Sequence, residues 1–207
     1  MASGMTGVDD SEGDAGAGGW GDELLALDEA IYQAVASTPT PRLDQVLRPL
    51  TSAADHSKLW LATAALLAAV GGEKGRQAAM DGILSVGLAS ASVNQGFKHL
   101  NRRPRPDRDT AEVPADRRVS MPTSTSFPSG HTASAFAFAG GVARTMPWLG
   151  SALRLAATTV GYTRVHAGVH YPGDVVAGAL IGIGCGEVAP RVGRRAQARA
   201  RVWRSSP

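Results

Sequence analysis

Arg164-Val165-His166-Ala167-Gly168-Val169-His170-Tyr171-Pro172-Gly173-Asp174 is the stretch on which the reading of this chain turns. Tyr171 precedes a proline and is steered away from the helical region, whereas Pro172 suits the first position of a helix. The sequence thus predicts that His170 stands just before a helix and that Asp174 lies in its first turn. An imidazole so placed can attack through one ring nitrogen while the other donates to a carboxylate that fixes the tautomer.

Working outward, Pro128-Ser129-Gly130-His131 precedes an apolar run, Ala133, Ala135, Phe136, Ala137, Phe138 and Ala139. This predicts a helix beginning near Ser129, with Ser129 as a cap and with N–H groups open to an anion. Further upstream, Lys98-His99-Leu100-Asn101-Arg102-Arg103-Pro104-Arg105-Pro106 is strongly basic. A phosphoryl group in transfer spreads negative charge over three equatorial oxygens, so its catalysis rests on fixed positive donors and well-placed attacking and leaving groups. Lys98, Arg105 and Arg164 suit the first demand, and His170 and His131 the second. Together these residues are the equipment for phosphoryl transfer through a histidine nucleophile.

The three motifs resemble those of the type 2 phosphatidic acid phosphatase family, the PAP2 superfamily, which also holds bacterial soluble acid phosphatases and vanadium haloperoxidases. The family's first motif is Lys, six residues, Arg-Pro, and that register selects Arg105-Pro106 over Arg103-Pro104. Its second, Pro-Ser-Gly-His, is present unchanged. Its third is Ser-Arg, five residues, His, three residues, Asp, and Thr163 stands here in the Ser place, keeping the hydroxyl. The likeness covers roughly residues 25 to 190 and extends to the phosphatase module that some actinobacterial proteins fuse to a diacylglycerol-kinase-like domain. The resemblance implies that His170 becomes phosphohistidine, that Asp174 orients it, and that His131 protonates the leaving oxygen and later activates water. It assigns phosphate binding to Lys98, Arg105, Ser129, Gly130 and Arg164, and implies neither metal nor cofactor. A vanadate-dependent haloperoxidase is the alternative within enzymes; a non-catalytic lipid-phosphate binder is the alternative outside them, and it would not need an oriented His170-Asp174 pair.

Plainer readings fit other residues. His56, His99 and His166 read as structural. Arg102, Arg103, Arg108, Arg117 and Arg118 read as a solvated basic face, with anionic lipid headgroups as the other use. Met121 to Ser126 reads as a loop leading into the Ser129 cap.

The chain has 207 residues, 43% of them hydrophobic, and a formal net charge of +3. Residues 1–20 and 191–207 read as disordered tails, the second of them basic, around a single domain at 21–190. One cysteine, Cys185, lies in an apolar run and reads as a packing residue. The opening residues show no charged segment followed by an apolar core and cleavage site, so no cleavable secretory signal is expected.

The fold class expected is all-α. Asp22 to Ala36 and Leu43 to Ala54 are amphipathic and suited to a membrane surface. Apolar stretches at about 59 to 72, 79 to 97, 130 to 147, 150 to 165 and 172 to 189 follow. Their uninterrupted parts fall short of the roughly 20 residues of a clean span; family likeness tips the reading to five membrane helices. Five spans put all three motifs at one face, and Lys74, Arg76, Arg144, Arg154 and the basic tail at the other. The positive-inside tendency then puts the active site outside the cytoplasm of a bacterial cell membrane. The expected partners are the membrane and a lipid phosphate or pyrophosphate: phosphatidic acid, a polyprenyl phosphate or diphosphate, or phosphatidylglycerol phosphate. No nucleic-acid partner is expected, and the sequence sets no oligomeric state.

Overall fold

The computed structural model describes residues 19–54, 57–100 and 102–205, whose regular structure is helical with no strand among them. Two helices, α1 (Gly19–Ser37) and α2 (Pro41–Ala53), precede the bundle. The helix α3 (Lys58–Val70) turns at Gly71-Gly72 into α4 (Gly72–Ala91), which runs on through a π-helical turn (Ser92–Phe97) into the short α5 (Lys98–Leu100). A long loop with one 3₁₀ turn (Ala115–Arg117) leads to α6 (Gly130–Ala143), then α7 (Pro147–His166) and α8 (Pro172–Ser205). These helices coincide closely with the five apolar stretches read from sequence.

The helix α6 is apolar on every side, as a central helix must be. It is enclosed by α4, α7 and α8, with α3 against α4. Phe138 and Val142 meet Trp60, Ala78, Ala157 and Val160 in the main core, the rings of Trp60 and Phe138 lying 5.6 Å apart. The contact between α6 and α8 is backbone on backbone. Gly178, Gly182 and Gly186 fall every fourth residue on one stripe, where any Cβ would strike the Ser129 carbonyl, the Ala133 carbonyl and the Gly140 Cα respectively. Cys185 is buried beside Ala133 and Ala137.

Outward faces remain apolar: Leu61 and Leu66 on α3, Met80, Leu84 and Leu88 on α4, Leu155 on α7, and Leu180 and Ile183 on α8. Among the described residues, one helix, Pro172–Arg199, is long and apolar enough to cross a membrane by length and composition.

The basic tail expected to be disordered from residue 191 is instead helical to Ser205. Its Ala/Arg composition favours helix strongly, Arg191 pairs with Glu187 one turn back at 2.8 Å, and Arg194 reaches the buried Asp81 of α4 at 3.0 Å. In the other tail, Gly19 and Trp20 already belong to α1; the disorder expected for the rest of it concerns residues 1–18, outside the described residues.

Candidate active site

His170 occupies the loop between α7 and α8 and Asp174 the first turn of α8, because Pro172 starts the helix between them. Only 2% of His170 is exposed, and its Nδ1 lies 3.3 Å from Asp174 Oδ2. Its Nε2 lies 3.2 Å from an Arg105 terminal nitrogen. A guanidinium can only donate, so Nε2 accepts and carries a lone pair, and the ring proton sits on Nδ1, facing the carboxylate. Burial first, and then the Arg105 charge, push the His170 pKa down to about 4 against the opposing bond from Asp174. The ring is therefore neutral at pH 7, with the lone pair of its Nε2 presented beside the Arg105 cation.

Both faces of Asp174 are engaged. Ser126 Oγ donates to Oδ2, the Tyr171 N–H donates to it at 3.0 Å, and Arg103 reaches Oδ1 at 3.3 Å. Arg103 also sits over the Tyr171 ring, its guanidinium carbon 3.8 Å from the ring centre, and pairs with Asp28 of α1 at 2.7 Å. Asp28 in turn accepts the Gly173 N–H at 2.6 Å. The buried stripe of α1, Asp28, Tyr32 and Ala36, thus packs on the loop that carries His170, while Trp20, Leu24, Leu27 and Ile31 stay exposed. The amphipathic helix expected at 22 to 36 thus braces the His170 loop with its buried stripe and keeps an apolar face outward.

In front of His170 opens a cavity of about 610 Å³. Lys98, Arg105, Gly130, His131, Arg164 and His170 all line it, so three motifs distant in sequence meet at one end of the bundle. Arg105 is aimed by Ser124 O at 2.8 Å and Val169 O at 2.9 Å, and Lys98 Nζ by Ser124 Oγ at 3.0 Å. Burial, then the Arg105 charge, lower the Lys98 pKa. Arg164 is buried and held by Thr51 Oγ1 of α2 at 2.7 Å. Gly130 and His131 open α6, whose N-terminal dipole points at the cavity.

Asp174 stands behind His170, and Ser129 is the predicted phosphate-binding residue that stands apart from this lining. It is fully buried; its Oγ accepts from the Thr132 N–H as the α6 cap, and its own N–H donates to the Asp174 carbonyl at 3.0 Å. Its contribution is to tie α6 to α8. Thr163, in the family's Ser place, is likewise buried and bonds Thr51 Oγ1 at 3.2 Å.

Of the residues read as structural, His166 is, bonding Thr40 at 3.0 Å and Asp44 at 3.1 Å away from the cavity. His99 is exposed, and His56 lies outside the described residues. The basic loop is not a solvated face throughout. Arg117 is 2% exposed and fastens the α1–α2 turn through Asp44, Ala36 O and Thr38 O, and Arg108 holds Gly168 O and Val119 O. The loop at 121 to 126 does more than lead to a cap, since Ser124 and Ser126 hold the cations and Asp174.

A sequence model of the PAP2 superfamily matches residues 78–197. The chain is 47% identical over 58 residues to a lipid A 4'-phosphatase of Bacteroides thetaiotaomicron, covering 27% of this chain and 26% of that protein. It is 44% identical over 57 residues to a lipid A 1-phosphatase of Rhizobium etli, 28% and 25% of the two chains. The match spans about a quarter of the length of these curated relatives. Among solved structures, Aquifex aeolicus LpxE superposes with a TM-score of 0.65 at 29% identity, over 80% of this chain and 95% of that one. A transmembrane PAP2 type phosphatidylglycerolphosphate phosphatase from Bacillus subtilis shares the fold, with a TM-score of 0.63 at 23% identity over 84% and 88%.

Proposed function

The chain belongs to the PAP2 superfamily, and on that premise we propose that it is an integral membrane lipid phosphatase working through a phosphohistidine. The observation that carries the reading is His170 itself, its Nδ1 backed by a buried carboxylate and its Nε2 set beside Arg105 in a cavity that also holds Lys98, Arg164 and His131. A binder would need the cations alone; the oriented pair favours chemistry.

In the first step His170 Nε2 attacks phosphorus while its Nδ1–H stays bonded to Asp174, which stabilises the imidazolium character that develops. Lys98, Arg105, Arg164 and the α6 N-terminus oppose the charge on the equatorial oxygens. His131 gives its proton to the leaving alkoxide as the P–O bond breaks. In the second step His131, now neutral, takes a proton from water, which attacks the phosphohistidine, and free His170 and inorganic phosphate result.

The apolar outer faces of α3, α4, α7 and α8 support a membrane setting. Arg144, Arg191, Arg194, Arg195 and Arg199 gather at the end opposite the cavity, which supports a cytoplasmic C-terminal arm and an extracytoplasmic site. The test is His170→Ala in detergent with a panel of lipid phosphates. Turnover disappears with folding intact, and wild-type protein quenched during turnover carries acid-labile, base-stable phosphate. Phosphate release by His170→Ala at the wild-type rate refutes the mechanism.

A further inference from the structure

The cavity has a second wall that the phosphoryl transfer does not use. Lys98, Asn94 and Ser90 recur at every fourth residue along one face of the α4 rod, about 6 Å apart per step, and all three line the cavity. Asn94 Nδ2 donates to Ser90 Oγ at 3.2 Å. Asn94 sits in the π-helical turn, a distortion found often at functional sites. Ser134 of α6 and Ser57, at the start of α3, line the cavity too. Val93 and Pro122 are the apolar side chains of the lining, and Gly130 has none.

Ser90 and Asn94 lie in the 79 to 97 stretch read as a membrane segment, together with Ser92 and Gln95, and a polar side chain in such a segment is costly unless it faces a polar partner or a wet cavity. Here they face the cavity, one and two turns from the phosphate-binding Lys98. Hydrocarbon next to the phosphate would meet donors and acceptors it cannot satisfy. A second phosphate would find no cation on this wall beyond Lys98. Neutral donors and acceptors match hydroxyl groups.

Building on the phosphatase reading, we infer that the group esterified to the transferred phosphate is a polyol with free hydroxyls, glycerol or a sugar, held by Asn94 and Ser90. A bare prenyl chain or fully acylated glycerol leaves this wall unpaired.

The test compares kcat/KM of the full-length protein in detergent on four lipids of matched chain content: phosphate on a free-hydroxyl glycerol, phosphate on a hexosamine, phosphatidic acid and a polyprenyl phosphate. One hydroxylated substrate is preferred at least about tenfold over the last two, and which one it is names the polyol. Asn94→Leu and Ser90→Ala each lower that ratio about fivefold, the worth of one neutral hydrogen bond. Asn94→Leu extends the apolar character of the helix, so a melting curve like that of wild type is expected, and the more conservative Asn94→Ser retains part of the ratio. A ratio near one in wild type, or variants that slow all four lipids alike, overturns the inference while leaving the phosphatase reading standing. Hydrolysis of none of the four sinks that reading and the inference with it.

Discussion

Asp28→Asn tests whether α1 belongs to the catalytic apparatus. The Asp28 carboxylate, 11% exposed, joins Gly173 N–H at 2.6 Å to Arg103 at 2.7 Å. Asparagine keeps an acceptor for Gly173 and loses the charge that faces Arg103. Exchanging a charge-assisted bond of about 1.5–3 kcal/mol for a neutral one of about 1 kcal/mol removes roughly 0.5 to 2 kcal/mol, which at this size lowers Tm by about 4 °C. The kinetic effect has another source. Arg103, released from Asp28, concentrates its charge on Asp174, with which it interacts by about 4 kcal/mol at an effective dielectric of 20. If about a third of that is drawn away from the His170 Nδ1–H, the nucleophile loses roughly 1.4 kcal/mol of support, a tenfold fall in kcat. Asp28 lines no part of the cavity, so KM stays within about twofold. The assay is phosphate release over a substrate series in detergent, beside a thermal melt. A lowered Tm with kcat within twofold of wild type would show the anchor to be structural only and refute the coupling.

Two further outcomes follow from the histidines. His170 has a folded-state pKa of about 4, below its ordinary value of 6.5. Between those values the unfolded chain therefore binds the proton and the folded one does not, so the stability this group contributes is complete above about pH 6.5 and is lost as pH falls toward 4. Nitrogen-15 histidine spectra at pH 5.5 are expected to show a neutral ring with its proton on Nδ1 that is missing in His170→Ala; an imidazolium signal lost in that variant contradicts the assignment. His131→Ala is expected to slow single-turnover release from an alkyl phosphate far more than from p-nitrophenyl phosphate, because only the basic alkoxide needs a proton to depart. Equal losses would recast His131 as a phosphate ligand.

The helices and the motif residues were legible because each carries a local signal: apolar runs bounded by Gly and Pro, a proline before Asp174, a cap before His131. What supports the site was not, since its partners come from afar. Thr51 reaches Arg164 across 113 residues and Asp28 reaches Gly173 across 145, and neither has a spacing to betray it. One signal was present: Asp28 stands in line with Tyr32 and Ala36, an acid on what proves the buried stripe of α1. The Arg103-Pro104 pair that the motif register set aside is a second. The C-terminal arm looks like a tail in sequence because its many charges suggest solvation, whereas Asp81, the buried carboxylate that anchors Arg194, lies over a hundred positions away.

The glycine stripe of α8 sets how this protein tolerates variation. Gly178, Gly182 and Gly186 press directly on the α6 backbone, so the relation between the helix bearing Asp174 and the helix opened by His131 is set by main-chain contact and not by adjustable side chains. In a saturation library selected for turnover, the outward face of α8 (Val176, Leu180, Ile183) should accept most apolar residues. The stripe should reject even alanine, giving a period of four in lost activity that extends along the helix well away from the cavity. A homologue search keyed to chemically active residues would pass over those three positions, although they govern the geometry on which the chemistry depends.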